Sequence, residues 1–302
     1  MSDLFLSFIL GLIQGLTEFL PVSSSAHLLF PNLLFGTNDL GLSFDIAVHT
    51  GTLVAVIYYF RSELTSMTVA VFTNTENVLG HRKLSYQLIL ATLPIVFFGL
   101  FASDLVNNNR DSIENIALAN IIFAALLLLA YKFSSRSKEL IQLSVLAAIF
   151  IGFFQVFALF PGASRSGTAI TAALLIGLNL KDASRFAFLL AIPTILGALV
   201  FLLKDMMSFD GSIDLLPMFI GLITSMVFAF ITIKYFLAFV ERIGMYPFVI
   251  YRVFLGALLV LLIWVVVFLL TLIKVQNTFS IFLTIWIWRL SMRFLCLALL
   301  SI

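Results

Sequence analysis

The sequence predicts an all-α polytopic membrane protein, an inverted-topology repeat with two re-entrant helical hairpins and about six full transmembrane helices. Three observations predict it. Apolar residues make up 62% of the chain and charged residues only 11%, where a soluble domain of ordinary composition carries about 25% charged residues. Apolar stretches recur along the whole length, many approaching the roughly 20 residues that cross a hydrocarbon core. A polar, proline-broken element also occurs twice.

In order, the apolar segments run 4–20, 26–36, 44–60, 86–102, 113–131, 141–160, 168–180, 186–203, 215–237, 247–272 and 279–300. They are too continuous for membrane strands, which alternate apolar and polar residues. Segments 4–20 and 26–36 are separated by Leu20-Pro21-Val22-Ser23-Ser24-Ser25. Segments 141–160 and 168–180 are separated by Phe160-Pro161-Gly162-Ala163-Ser164-Arg165-Ser166-Gly167. Each pair is short and broken, and reads as a hairpin rather than a span.

The two breaks look like one feature used twice. Gly11 and Gln14 match Gly152 and Gln155 at an offset of 141, while Pro21 matches Pro161 at 140. One residue is therefore gained or lost between them. The membrane-embedded domain is expected over 1–272, with halves at about 1–131 and 141–272, followed by an apolar extension at 273–302.

Charge sets the orientation. Arg61, Arg82 and Lys83, then Lys132, Arg136 and Lys138, then Lys181 with Arg185 and Lys234 with Arg242, crowd one set of connections. The connections at 37–43, 103–112 and 204–215 are acidic, carrying only Arg110 and Lys204 as cations. The positive-inside rule makes the first set cytoplasmic. The path closes only if residues 1–36 dip in from the outer side and 141–180 from the cytoplasm. Inverted repeats of this kind bring their broken tips together near the midplane, where ligands bind. A net charge of +2 offers nothing to nucleic acid, and Cys296, the one cysteine, precludes an internal disulfide. The first apolar stretch lacks the basic start and small-residue end of a cleavable signal.

Ionisable groups inside apolar segments are functional candidates by default. Glu18 stands one helical turn after Gln14, on the same face. His27 follows the first break, after Ser23, Ser24 and Ser25. Across the repeat, Arg165 lies between Ser164 and Ser166 at a predicted helix N-terminus, flanked by Gly162 and Gly167. Free N–H groups, hydroxyls and a guanidinium fork make an anion site suited to phosphate. A carboxylate, a histidine and serines beside it supply the acid, base and nucleophile of phosphoryl transfer.

Plainer readings stand beside these. Glu18 and Arg165 form a structural ion pair, His27 is a packing residue, and Gln14 only orients Glu18. Serines after a proline break usually cap helices, which is the preferred reading for Ser25. For His49, early in a full span, helix packing is preferred, and His81 belongs to a basic loop.

The motif Gln14-x-x-x-Glu18-Phe19-Leu20-Pro21-Val22-Ser23-Ser24-Ser25-x-His27, with Pro161-Gly162-x-Ser164-Arg165-Ser166-Gly167, resembles the undecaprenyl-pyrophosphate phosphatases of the bacitracin-resistance type. The resemblance runs to about residue 270 and includes Phe44-Asp45, Gly51-Thr52-Leu53 and Ile250-Tyr251-Arg252. It implies a bacterial inner-membrane hydrolase, its site facing the periplasm. Such an enzyme removes the terminal phosphate of a long polyprenyl pyrophosphate and returns the monophosphate carrier to cell-wall synthesis. It implies Mg2+ or another divalent cation, with Glu18 a candidate ligand, and bilayer lipids as surroundings; a homodimer is a candidate assembly. By position, Glu18 matches the essential glutamate and Gln14 the site that is Glu or Gln. Ser24 and His27 match the proposed nucleophile or acid–base pair, with His27 preferred as nucleophile. Ser23, Ser164, Arg165, Ser166 and Thr168 are the expected phosphate-binding set.

Three departures stand out. Where the family has threonine four residues after the arginine this chain has Ala169, with Thr168 before it; Ala26 replaces a common glycine; and the chain continues from Lys274 to Ile302 with Trp286, Trp288, Arg289 and Arg293. A rival reading of the same architecture is a lipid-phosphate transporter or flippase, which needs no nucleophile. A third is a scaffold in which the tips form only an ion pair.

Overall fold

Apolar runs become helices that outlast the runs themselves. The computed structural model describes residues 3–28, 40–73, 79–109, 112–206 and 214–265, with Pro31, Thr37 and residues 267–268. The extension beyond 272 and most of segment 26–36 lie outside these residues. The chain divides into two units, Met1–Ala257 and Leu258–Ile302. The described part of the second is helical, and the site belongs to the first.

Along the first unit come α1 (Asp3–Thr17), α2 (Ser24–Leu28), α3 (Gly41–Tyr59), α4 (Arg61–Phe72), α5 (Leu79–Asn109) and α6 (Ile113–Phe133). Then follow α7 (Val145–Gln155), continued by a 3-10 turn over Val156–Leu159, α8 (Arg165–Leu175), α9 (Leu180–Met206) and α10 (Leu215–Ile243). The last, α11, is Tyr246–Val265. Among the described residues six helices are long and apolar enough to cross a membrane: α3, α5 through Phe101, α6, α9 through Lys204, α10 and α11. The protein is thus an all-helical, multi-pass membrane protein. Several helices exceed the predicted segments because a helix rising 1.5 Å per residue carries its polar ends beyond the hydrocarbon; α5 has 31 residues where 86–102 is apolar. The basic stretch after residue 60, read as a loop, contains α4. Much of that helix is exposed, so it lacks the apolar run by which the other helices were recognised.

Packing follows a crossed pattern. The short α1 lies on α10, and the short α7 lies on α5. Glycines allow both contacts. A Cβ on Gly11 would stand 2.9 Å from the Gly221 carbonyl oxygen of α10, and one on Gly152 would collide with the Ala91 carbonyl of α5. The central helix α8 packs against α6, α7 and α9, so Ile170, Leu174, Phe186 and Phe188 are fully buried.

The basic connections gather at one end of this bundle. Arg185 of α9 donates to both carboxylate oxygens of Glu63 in α4, at 3.1 and 2.7 Å. Lys83 Nζ donates to the Ile141 carbonyl at 2.9 Å. Lys138 pairs with Leu178 in a parallel bridge, and its amide donates to the Gly177 carbonyl at 3.0 Å. The chain entering α7 and the chain leaving α8 are therefore pinned together.

Candidate active site

Each proline break ends one helix and starts the next in an unusual backbone. The residue before a proline is pushed out of the helical region, and Pro21 and Pro161 each follow the end of a helical run. Two residues past Pro21, Ser23 has φ 72°; three past Pro161, Ser164 has φ 70°. The Ser164 side chain then caps α8, accepting from the Gly167 amide at 3.2 Å, the usual office of a serine at this position.

The two turns meet. The Ser166 hydroxyl donates to the Leu20 carbonyl at 2.8 Å, and the Gly162 amide donates to Ser25 Oγ at 3.3 Å. Between them, Glu18 collects three partners. Its Oε2 accepts from Gln14 Nε2 at 2.9 Å and from Ser24 Oγ at 2.7 Å. Its Oε1 is paired with Arg165 Nη2. Glu18 is 7% exposed, and a carboxylate this deep needs the cation and two donors that face it.

A cavity of about 240 Å³ opens over this cluster. Glu18, Ser23, Ser24, Ser25, Ser164 and Arg165 line its polar side, together with His49 of α3 and Thr194 of α9. Ile95, Ala158, Leu159, Phe160, Ile195 and Ala198 line the rest. The lining is amphipathic: anion-binding groups and hydrocarbon face the same space.

Not every predicted residue reaches it. His27 lies just outside, with Nδ1 donating to the Ser23 carbonyl at 2.6 Å and Nε2 placed 2.5 Å from the Tyr251 hydroxyl. The ring planes of His27 and Tyr251 are stacked, 7° apart. Since a carbonyl only accepts, Nδ1 carries a proton, and Nε2 shares a hydrogen bond with Tyr251. Thr168 is fully buried, and its hydroxyl donates to the Arg165 carbonyl at 2.9 Å rather than facing the cavity. The Ser166 hydroxyl is likewise taken by Leu20. Gln14 sits behind Glu18, as an orienting residue would.

Three further residues bear on the site. His49, assigned to packing from the sequence, lines the cavity, its Nδ1 held by the Asp45 carbonyl at 2.8 Å; it was an ionisable group in an apolar span, the signal that singled out Glu18. Tyr251 holds His27. Arg252, fully buried, donates from Nη2 to the carbonyls of Gly162 and Ala163, at 2.9 and 3.0 Å. Nothing in the local pattern around 250–252 ties it to residues 90 positions earlier.

As chemistry, the cluster joins a hydroxyl hydrogen-bonded to a carboxylate, a cation beside them, and the N-terminus of α8 aimed at the same space. That combination suits attack on a phosphorus whose oxygens the cation holds. A three-residue cluster of His, Cys, Asp or Glu able to hold a metal is absent among the described residues.

Known proteins give the same direction. The family model of the bacitracin resistance protein BacA matches residues 7–258. An undecaprenyl-diphosphatase of Alcanivorax borkumensis is 45% identical over 259 residues, which is 85% of this chain and 98% of that relative.

Proposed function

The chain belongs to the bacitracin resistance protein BacA family, and we propose that it hydrolyses undecaprenyl diphosphate to the monophosphate and inorganic phosphate where the two proline-broken turns meet. The observation that carries this is the convergence of Ser24 and Arg165, from different turns, on the single carboxylate of Glu18.

The terminal phosphate lies against the polar lining of the cavity, its oxygens held by Arg165 and the start of α8. Ser24 Oγ attacks the terminal phosphorus while Glu18 Oε2 accepts the hydroxyl proton. The bond to the bridging oxygen breaks, and undecaprenyl monophosphate leaves as an anion that needs no proton. Water then attacks the phosphoserine, the P–Oγ bond breaks, and Ser24 Oγ recovers the proton from Glu18. Inorganic phosphate departs with the water oxygen. Ser24 is preferred to His27 as nucleophile because Ser24 lines the cavity, whereas the two ring nitrogens of His27 face Ser23 and Tyr251. His27 holds the carbonyl of Ser23 and so the turn that presents Ser24.

The donor set fits a magnesium ion in one respect. Mg2+ keeps most of its waters and binds through one or two carboxylates plus substrate phosphates, and Glu18 offers one carboxylate at the cavity. Glu18 would hold the ion, which would neutralise phosphate charge.

An inverted repeat is the architecture behind this site. It is supported by the crossed packing of α1 on α10 and α7 on α5, and by the bridge that returns the α7–α8 hairpin to its own starting end. The gathering of basic connections at that end supports a periplasm-facing site in the bacterial inner membrane. There the product re-enters carrier recycling for cell-wall synthesis, and depletion of the diphosphate supports bacitracin resistance.

The test is phosphate release from undecaprenyl diphosphate by purified protein, with and without Mg2+, beside Glu18→Gln and Ser24→Ala. Wild-type release with loss in both variants is expected. A folded wild type that releases none overturns the reading in favour of lipid transport.

A further inference from the structure

The two halves of the proposed reaction make unequal demands on Glu18. In the first, its Oε2 takes the hydroxyl proton of Ser24, to which it is already bonded at 2.7 Å. It holds that proton until Ser24 Oγ leaves phosphorus as a hydroxyl. A carboxyl committed as the acid of the second half cannot also take a proton from the attacking water. A second base is required, and it must reach that water directly or through one more water.

The lining of the cavity narrows the choice. Among the described residues, its ionisable groups are Glu18, Arg165 and His49. Arg165 is paired with Glu18 and has no lone pair with which to accept a proton. The Thr194 hydroxyl is engaged twice, donating to the Leu190 carbonyl at 2.8 Å and accepting from Gln155 Nε2 at 3.0 Å. His27 lies outside the lining, its two ring nitrogens held at Ser23 and Tyr251. His49 is left.

Its placement suits the task. Nδ1 lies 2.8 Å from the Asp45 carbonyl, so Nδ1 carries a proton and Nε2 is the nitrogen that can receive one. Nε2 has no hydrogen-bond partner among the described residues, yet it is not one of the buried unpaired polar atoms, so it is reachable. The neighbouring hydroxyls are spent on the helix itself. Thr50 Oγ1 donates to the Ile46 carbonyl at 2.7 Å, and Thr52 Oγ1 to the His49 carbonyl at 2.9 Å. Gly51 holds this turn of α3 tightly against α10, where an added Cβ would collide with the Leu222 carbonyl. The attacking and leaving oxygens of phosphoryl transfer lie roughly in line, so the water approaches from the side away from Ser24. A base for it belongs on an element other than the Ser24 turn, and α3 is outside both proline-broken turns.

We propose that His49 is the general base that activates water in the second half of the reaction. Nε2 takes one proton of the water as the water oxygen bonds to phosphorus. The P–Oγ bond breaks, and Ser24 Oγ takes the proton stored on Glu18. His49 then passes its proton to the departing phosphate, which restores the starting enzyme. The inference rests on the phosphatase reading and deepens it.

The experiment follows undecaprenyl diphosphate radiolabelled in its terminal phosphate, with wild type, His49→Asn and His49→Gln. Both amides can donate where the ring does, and neither accepts a proton; detergent unfolding temperatures check the fold. In the variants kcat is expected to fall about 100-fold or more. The first equivalent of undecaprenyl monophosphate per chain should still form rapidly, and acid-quenched protein should carry the label. Adding Ser24→Ala should remove that label. Damage to the fold alone would slow the first equivalent and trap nothing, so the label separates a base from a packing residue. Wild-type kcat in either variant would overturn the proposal. So would a fall in kcat that slows the first equivalent equally and leaves the protein unlabelled. A wild type that releases no phosphate removes the phosphatase reading itself, and this role of His49 with it.

Discussion

Ser23 and Ser164, 141 residues apart, share a positive φ and the same side-chain contact. Their φ values are 72° and 70°, and each hydroxyl lies beside the serine two residues on, Ser23 to Ser25 at 3.1 Å and Ser164 to Ser166 at 3.2 Å. The residues that follow them, Ser24 and Arg165, occupy matching places and bind the same carboxylate. One turn shape thus presents a hydroxyl after the first proline break and a guanidinium after the second.

That shape strains an L residue by roughly 1–2 kcal/mol, which glycine does not feel. Ser164→Ala keeps the strain and loses the cap on Gly167; Ser164→Gly loses the cap alone. The glycine variant is expected to unfold in detergent at the higher temperature, by about 1 kcal/mol in stability. The same order is expected at Ser23. An alanine variant as stable as the glycine one would mean that the left-handed turns carry no strain.

Glu18 and Arg165 separate a structural pair from a working one. Removing one partner of a buried pair costs about 3–5 kcal/mol, while replacing both is far milder. Arg165→Met should therefore lower the unfolding temperature sharply, and adding Glu18→Gln should restore much of it. Phosphate release should stay absent in both. Activity regained with stability would support the scaffold reading.

Much of this was legible in the sequence because membranes impose long apolar runs and expel charge. The six long helices, the two breaks, and Glu18 and Arg165 as isolated charges all follow from that pressure. The offset that slips from 141 to 140 at Pro161 has a local cause. The second half has one residue fewer before its proline, where the chain tightens into the 3-10 turn of Val156–Leu159, and one more after it. The register is therefore recovered at Ser164. What stayed hidden depends on distance in the chain. The Tyr251–His27 contact joins residues 224 apart, and a tyrosine in an apolar helix carries no mark of its partner. His49 bore the mark, yet only the folded packing decides whether it packs or lines a cavity.

Tyr251→Phe keeps the ring stacked on His27 and deletes only the hydroxyl bonded to Nε2. Losing a buried hydrogen bond costs about 1–3 kcal/mol. The ring then loses one of its anchors, and the turn presenting Ser24 loosens. A fall of about tenfold in kcat with little change in KM is expected, read from steady-state phosphate release. A rise in KM at constant kcat would instead put Tyr251 in substrate binding.

Arg252 is the harder case, because a buried cation needs a reason. Its Nη2 bridges the carbonyls of Gly162 and Ala163, while Nε and Nη1 have no hydrogen-bond partner among the described residues. Those two carbonyls sit just before Ser164, so the guanidinium fixes the turn that aims Arg165. Lysine brings the same charge without the planar fork, and methionine brings similar bulk without charge. If the fork sets the turn, Arg252→Lys and Arg252→Met should both lose phosphate release by about tenfold or more, although lysine keeps the positive field. If charge alone matters, lysine should retain near wild-type activity and only methionine should fail. Measuring both variants at matched unfolding temperature separates geometry from electrostatics, and the two carbonyl contacts favour geometry.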